Sequence, residues 1–305
     1  MSMQPMAAMN PPAPLGTAGS AEDDVARARP RTSPLRWAGT VLIALVALQV
    51  AAFLFTNPRF EWPVVLKYLF APGILNGLGM TLVLTVLAML IGTVIGTVAA
   101  LALLSDFKAG RWAAQVYLWV FRGTPLLIQL IFWYNLAYLV PQVTLGLPFA
   151  PPVASWPTNV VITPFLAALL GLGLAEGAYM TEIVRAGLLS VDPRQHDAAK
   201  AIGMRPSQSF FRIVLPQAMR FIIPPTGNQV ISMAKATALV SVIAMNDLLH
   251  SVQLIYNRTY EVVPLLMVAV LWYLAIITLL YALQSRLERH YSRGHQRFTQ
   301  AAATA

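Results

Sequence analysis

Two ionisable residues stand inside long apolar runs of this chain, Glu176 and Lys235, and a third polar group, Thr237, follows two positions after the lysine. A charge at membrane depth is costly, so each is a candidate for handling a charged solute or for pairing with another residue. One reading makes a transport site: the carboxylate receives a ligand ammonium, the lysine receives a ligand carboxylate, and the threonine adds a hydroxyl. The other makes a buried Glu–Lys pair that locks two helices together. Gly173 and Gly177 bracket Glu176 and leave room for either a ligand or a neighbouring helix. Glu182 and Arg185, three apart near the end of the same run, read as a local ion pair, and Arg122 reads as an interfacial anchor.

Catalytic chemistry has little support. The chain has no cysteine, which excludes disulfides, thiolate metal sites and cysteine nucleophiles. Its histidines, His196, His250, His290 and His295, are scattered without metal-ligand spacing. No glycine-lysine phosphate loop is present, so neither nucleotide binding nor another cofactor is expected of this chain.

The elements that must carry these residues are membrane helices. The 305-residue chain is 57% hydrophobic and 11% charged, against about a quarter charged in soluble domains. A net charge of +9 does not point to nucleic acid, because the basic residues flank apolar spans instead of forming a patterned surface. An all-α, polytopic membrane protein of about six spans follows. Residues 1–36 read as a disordered tail, and residues 37–57 as a retained first span. Leu78 to Leu104 is the second, with a Gly92-x-x-x-Gly96 spacing suited to close helix approach. The third runs from Trp112 to Val140, the fourth opens at Pro164, and the fifth follows Pro224 and Pro225 to Met245. Val262 to Ser285 is the sixth, and residues 290–305 form a basic tail. Glu176 then lies about 18 Å below the outer end of its helix, near the midplane. Lys and Arg concentrate on the side of both termini, leaving Arg59, Lys67 and Arg258 on the other, so the termini are expected in the cytoplasm.

Between the fourth and fifth spans, residues 190–212 form a charged island. Asp192 suits a helix cap and Pro193 the first helical position; Gly203 suits a left-handed end, and Pro206 blocks continuation. Ala198, Ala199 and Ile202 share one face at helical spacing, with Gln195, Asp197 and Lys200 at its margins. Such a small-faced helix is suited to close approach by another protein.

Gln195-His-Asp-Ala-Ala, then Gly203, then Ile213-Val-Leu-Pro216 resembles the EAA signature of bacterial ABC importer membrane subunits, with Asp197 where Glu is usual. Phe121-Arg-Gly-Thr-Pro-Leu-Leu-Ile-Gln129, Gly177-Ala-Tyr-Met-Thr-Glu-Ile-Val-Arg-Ala-Gly187, Leu215-Pro-Gln-Ala218 and Lys235-Ala-Thr-Ala-Leu-Val-Ser241 are similar to polar amino acid permeases of histidine and glutamine type. Arg194 departs from the Gly usual before the Gln, and Ala236 and Ala238 replace a usual polar pair. The resemblance implies a type I ABC importer transmembrane fold over residues 78–289: five core helices plus the added N-terminal one. It implies a transport subunit, not an enzyme, in the bacterial inner membrane, with ATP bound by a partner. Gln195, Asp197, Ala198, Ala199, Ile202 and Gly203 would couple it to an ATPase dimer. A second permease chain, identical or related, and a periplasmic or lipid-anchored amino acid-binding protein would complete the system within membrane lipid. The alternative is an ion-gradient-driven secondary transporter or channel for a zwitterionic solute, which would predict repeated halves or an acidic relay.

Overall fold

The computed structural model describes residues 34–146 and 152–292. The expected tail up to residue 33 and the basic tail beyond residue 292 lie outside the described residues. The described residues fall into two compact units, one up to Pro58 and one from Arg59 on.

In the first unit, α1 (Pro34–Thr56) is a single helix of 23 residues, apolar all round. At about 1.5 Å per residue it is long enough to cross a hydrocarbon core about 30 Å thick. This is the helix expected over residues 37–57.

The second unit is built from α2 (Trp62–Leu69), α3 (Pro72–Leu104), α4 (Lys108–Gly123), α5 (Leu126–Tyr134), α6 (Pro164–Leu189), α7 (Pro193–Ala201), α8 (Leu215–Ala236), α9 (Leu248–Thr259) and α10 (Val262–Ser292). The only strands among the described residues are Gln142–Leu145 and Ala154–Pro157, a hairpin pairing Val143 with Trp156. Among the described residues of the whole chain, α1 included, four helices are long and apolar enough to cross a membrane, and the number reaches six if two bent helix pairs each count as one span.

Helix α6 is the central element. Over its most apolar stretch 72% is buried, against 33% for α3 and 28% for α10. It starts sharply because Pro164 takes the first helical position and the Thr163 hydroxyl accepts a hydrogen bond from the Leu166 N–H at 3.3 Å. Lipid tails are as apolar as leucine, so helices associate here mainly through close packing, which needs small residues. The Gly92-x-x-x-Gly96 spacing serves that purpose: a Cβ at Gly92 would lie 2.5 Å from Glu176 Cγ, and one at Gly96 2.6 Å from Met180 Cβ. Leu84, Leu130, Leu172, Met180 and Val240 are buried in the core this packing creates. A second core joins α2, α3, α9 and α10 through Val65, Ile74, Leu248, Val252, Leu265 and Val268.

Two expectations for the spans need correction. The third span is not one rod from Trp112 to Val140: α4 and α5 are bent by 102°. Pro125 cannot donate to the Phe121 carbonyl, and Thr124 before it is held extended at φ −110° and ψ 140°. The side-chain amide of Gln129 fills the gap, with Nε2 donating to the carbonyls of Phe121 and Thr124, each at 3.1 Å, and to Thr124 Oγ1 at 2.9 Å. Pro224 and Pro225 do not precede the fifth span but lie inside α8. That helix continues through a 3-10 segment, Thr237–Ile243, and stops at Ala244 in the left-handed region with φ 55°. The Asp247 carboxylate then caps α9, accepting from the N–H groups of Leu249 at 3.2 Å and His250 at 2.8 Å, so the expected outer segment is itself helical.

Candidate functional site

The charged island between α6 and α8 folds as its punctuation predicts. Asp192 Oδ1 accepts the Arg194 N–H at 2.9 Å, and Arg194 Nε lies 3.1 Å from Oδ2. These contacts, the backbone one foremost, hold the Asp192 carboxyl below the usual carboxylate range. At the other end Gly203 adopts φ 76°. Its N–H donates to the Lys200 carbonyl at 3.0 Å, and that of Met204 to the Ala199 carbonyl at 3.0 Å, the paired closure of a left-handed helix end. Helix α7 is thus held at both ends by its own residues, and Val191 and Val214 on either side of it are buried in the main core. The segments that join α7 to α6 and α8 are thus packed into the same core.

Its faces differ in one respect from the expectation. Ala199 is 1% exposed and turned toward the protein, so it does not share an open face with Ala198 and Ile202. The outward stripe is Gln195, Ala198 and Ile202, at i, i+3 and i+7, and Ile202 is 75% exposed. Asp197, His196 and Lys200 are exposed beside it.

The second constellation lies inside the helix bundle. A cavity of about 360 Å³ opens between the α4–α5 break, α6 and α8. Glu176 lines it, 2% exposed, and its Oε2 accepts a hydrogen bond from Gln229 Nε2 at 3.2 Å. Glu176 Oε1 and Gln129 Oε1 are both buried without a hydrogen-bond partner among the described residues, and both belong to residues of this cavity. Its lining contains no Lys or Arg. A buried acceptor without a donor is costly, so the cavity is chemically matched to a ligand rich in N–H.

Lys235 and Thr237 are not brought to it. Helix α8 presents Gln229, Ser232, Met233 and Ala236 to the cavity, the i, i+3, i+4, i+7 stripe of one helix face. Lys235 falls off that stripe, is exposed, and has no ion-pair partner among the described residues. The Glu176–Lys235 pair therefore does not form; Gln229 takes the lysine's place. Thr237 is fully buried and its hydroxyl donates to the Ala234 carbonyl at 2.9 Å.

Nearer the C-terminal end of α6, Arg185 Nη2 meets Glu182 Oε2 at 2.7 Å, as the spacing suggests. Arg122 completes the group by reaching Glu182 Oε1 at 3.3 Å, and its guanidinium stands 5.9 Å from the centre of the Tyr179 ring. This ties the α4–α5 break to α6. Gln229, Gln129 and Tyr179 were not anticipated as site residues. Their signal was a polar amide or phenol at mid-span, weaker than a formal charge.

Comparison with known proteins adds independent information. The model of a family described as binding-protein-dependent transport system inner membrane component matches residues 92–293. The chain is 40% identical over 284 residues to the arginine transport system permease protein ArgU of Corynebacterium glutamicum, covering 92% of this chain and 87% of that protein. It is 35% identical over 225 residues to the L-cystine transport system permease protein TcyB of Bacillus subtilis, covering 73% of this chain and 88% of that one. Among solved structures, one described as an amino acid ABC transporter with histidines superposes with a TM-score of 0.62 at 34% identity, over 74% of this chain and 96% of that chain.

Proposed function

The chain belongs to the family of binding-protein-dependent transport system inner membrane components, and from that premise we propose that Glu176 and α7 are its two working parts. It is a multi-pass permease subunit of an amino acid ABC importer in the inner membrane, and ATP hydrolysis belongs to a separate subunit. Family membership sets aside the gradient-driven alternative.

Helix α7 is the surface on which the ATPase dimer docks, through Gln195, Ala198 and Ile202, with Asp197 at the margin. Ala199 and Gly203 shape the helix from within. The observation that carries this reading is the exposed Ile202 beside Ala198 on a helix capped at both ends and anchored to α6 and α8. Closure of the ATPase dimer would move α7, and with it the two helices whose cavity-facing residues are Glu176 and Gln229. The substrate ammonium is received by Glu176, whose free Oε1 and the free Oε1 of Gln129 supply acceptors. Lys235 and Thr237 have no part in this site as folded here. Both termini are placed in the cytoplasm, with α7 on that side and the strand hairpin outside. A second permease chain, the same or related, and a periplasmic or lipid-anchored binding protein complete the assembly.

The reading is tested by reconstituting the chain with its ATPase subunit and binding protein in liposomes and following labelled amino acid uptake. Uptake is expected only with ATP on the α7 side. Transport by the isolated chain without nucleotide would overturn it.

A further inference from the structure

A larger cavity, about 990 Å³, lies between the inner ends of α6, α8 and α10, away from the Glu176 site. Arg220, Phe221 and Pro224 line it from α8, and Ser285, Glu288 and Arg289 from α10. Arg220 and Arg289 are exposed, and among the described residues neither has a carboxylate within ion-pair distance. Arg289 Nε donates only to the Ser285 carbonyl, at 3.0 Å. Of the two carboxylates in the lining, Asp192 is paired with Arg194, and Glu288 Oε1 accepts from Gln284 Nε2 at 2.8 Å, a contact that orients the carboxylate toward Gln284 but leaves its charge in place. Arg220 and Arg289 thus line one cavity without an ion-pair partner among the described residues.

The wall has two further properties. Pro224 and Pro225 carry no N–H, so the carbonyls of Arg220 and Phe221 lose their i+4 donors inside α8. They are acceptors suited to hydroxyl groups. Phe221 lines the cavity and is 51% exposed, giving an apolar flank.

We infer that this cavity is a site for an anionic glycerophospholipid of the inner leaflet, its phosphodiester held by Arg220 and Arg289 and its glycerol hydroxyls by the carbonyls freed at the double proline. Guanidinium forks match phosphate oxygens in geometry as well as charge, and basic pockets between spans on the cytoplasmic side suit such head groups. The inner-leaflet assignment rests on the orientation proposed above. Because Pro224 of α8 lines the cavity, bound lipid stiffens the segment that joins α7 to the Glu176 cavity.

The test is lipid retention by the full chain purified with its ATPase, read by native mass spectrometry after exposure to phosphatidylglycerol, phosphatidylcholine or inorganic phosphate. Phosphatidylglycerol is expected to be retained over phosphatidylcholine. Arg220→Gln should weaken retention about fivefold, and the double variant with Arg289→Gln about 25-fold. Arg258→Gln, outside the cavity, should leave retention unchanged. Equal retention of the two lipids, unchanged retention in the double variant, or displacement of lipid by inorganic phosphate would each overturn the proposal. The wild-type lipid comparison stands even if a variant misfolds. Ser285→Cys in this cysteine-free chain reports the side independently: labelling by an impermeant maleimide from the outer face would overturn the orientation, and the leaflet with it, without touching the retention result.

Discussion

Replacing Glu176 by Gln isolates the charge from the shape. The amide has nearly the volume of the carboxylate, so the tight approach to Gly92, where even a glycine Cβ would meet Glu176 Cγ at 2.5 Å, is preserved. Gln229 still finds an oxygen acceptor at the position now 3.2 Å away. What is lost is a charge-assisted contact from a buried carboxylate to the substrate ammonium. Hydrogen bonds to charged groups contribute roughly 1.5–3 kcal/mol, which corresponds to about 10- to 150-fold in affinity. Substrate-stimulated ATPase in liposomes, titrated with loaded binding protein, should therefore lose apparent affinity by at least about tenfold with basal hydrolysis retained. Lys235→Gln is the internal control, because Lys235 is off the cavity stripe of α8 and exposed; its affinity should match wild type. Unchanged affinity in Glu176→Gln, or an equal loss in Lys235→Gln, would refute the assignment of the cavity as the ammonium site.

Gly203→Val forces a β-branched residue into φ 76°, at a cost of order 1–3 kcal/mol. ATP hydrolysis should uncouple from uptake while membrane insertion is normal, as read by paired hydrolysis and uptake assays. Ile202→Glu places a charge on the 75%-exposed docking position and should reduce co-purification of the ATPase without altering the permease's own thermal stability. Gly92→Ala pushes a methyl against Glu176; overpacking of this kind costs about 1–3 kcal/mol, so the aggregation temperature in detergent should fall. A temperature equal to wild type would mean that α3 and α6 do not pack as closely as described.

How much of this was legible beforehand depends on the range of the interaction involved. The cap at Asp192, the proline start at Pro164 and the left-handed end at Gly203 involve partners within five residues, so spacing alone carries them. The run lengths of the spans are equally local, since the bilayer sets a minimum number of apolar residues. The Gly92–Gly96 spacing announced a close contact but not its partner.

Pro125 was visible, yet the 102° turn depends on Gln129 folding back onto the carbonyls the proline leaves open. Pro224 and Pro225 looked like a boundary, because a local rule counts the lost donors and not the neighbouring helices that steady the rod. The sequence by itself determined which runs are long and apolar enough to cross a membrane and where the charged helix between them begins and ends. Only the tertiary structure decided that Glu176 faces Gln229 and not Lys235, and that Ala199 turns inward. Those outcomes depend on the rotation of one helix about its axis relative to another, which is set by side-chain packing between residues far apart in the chain.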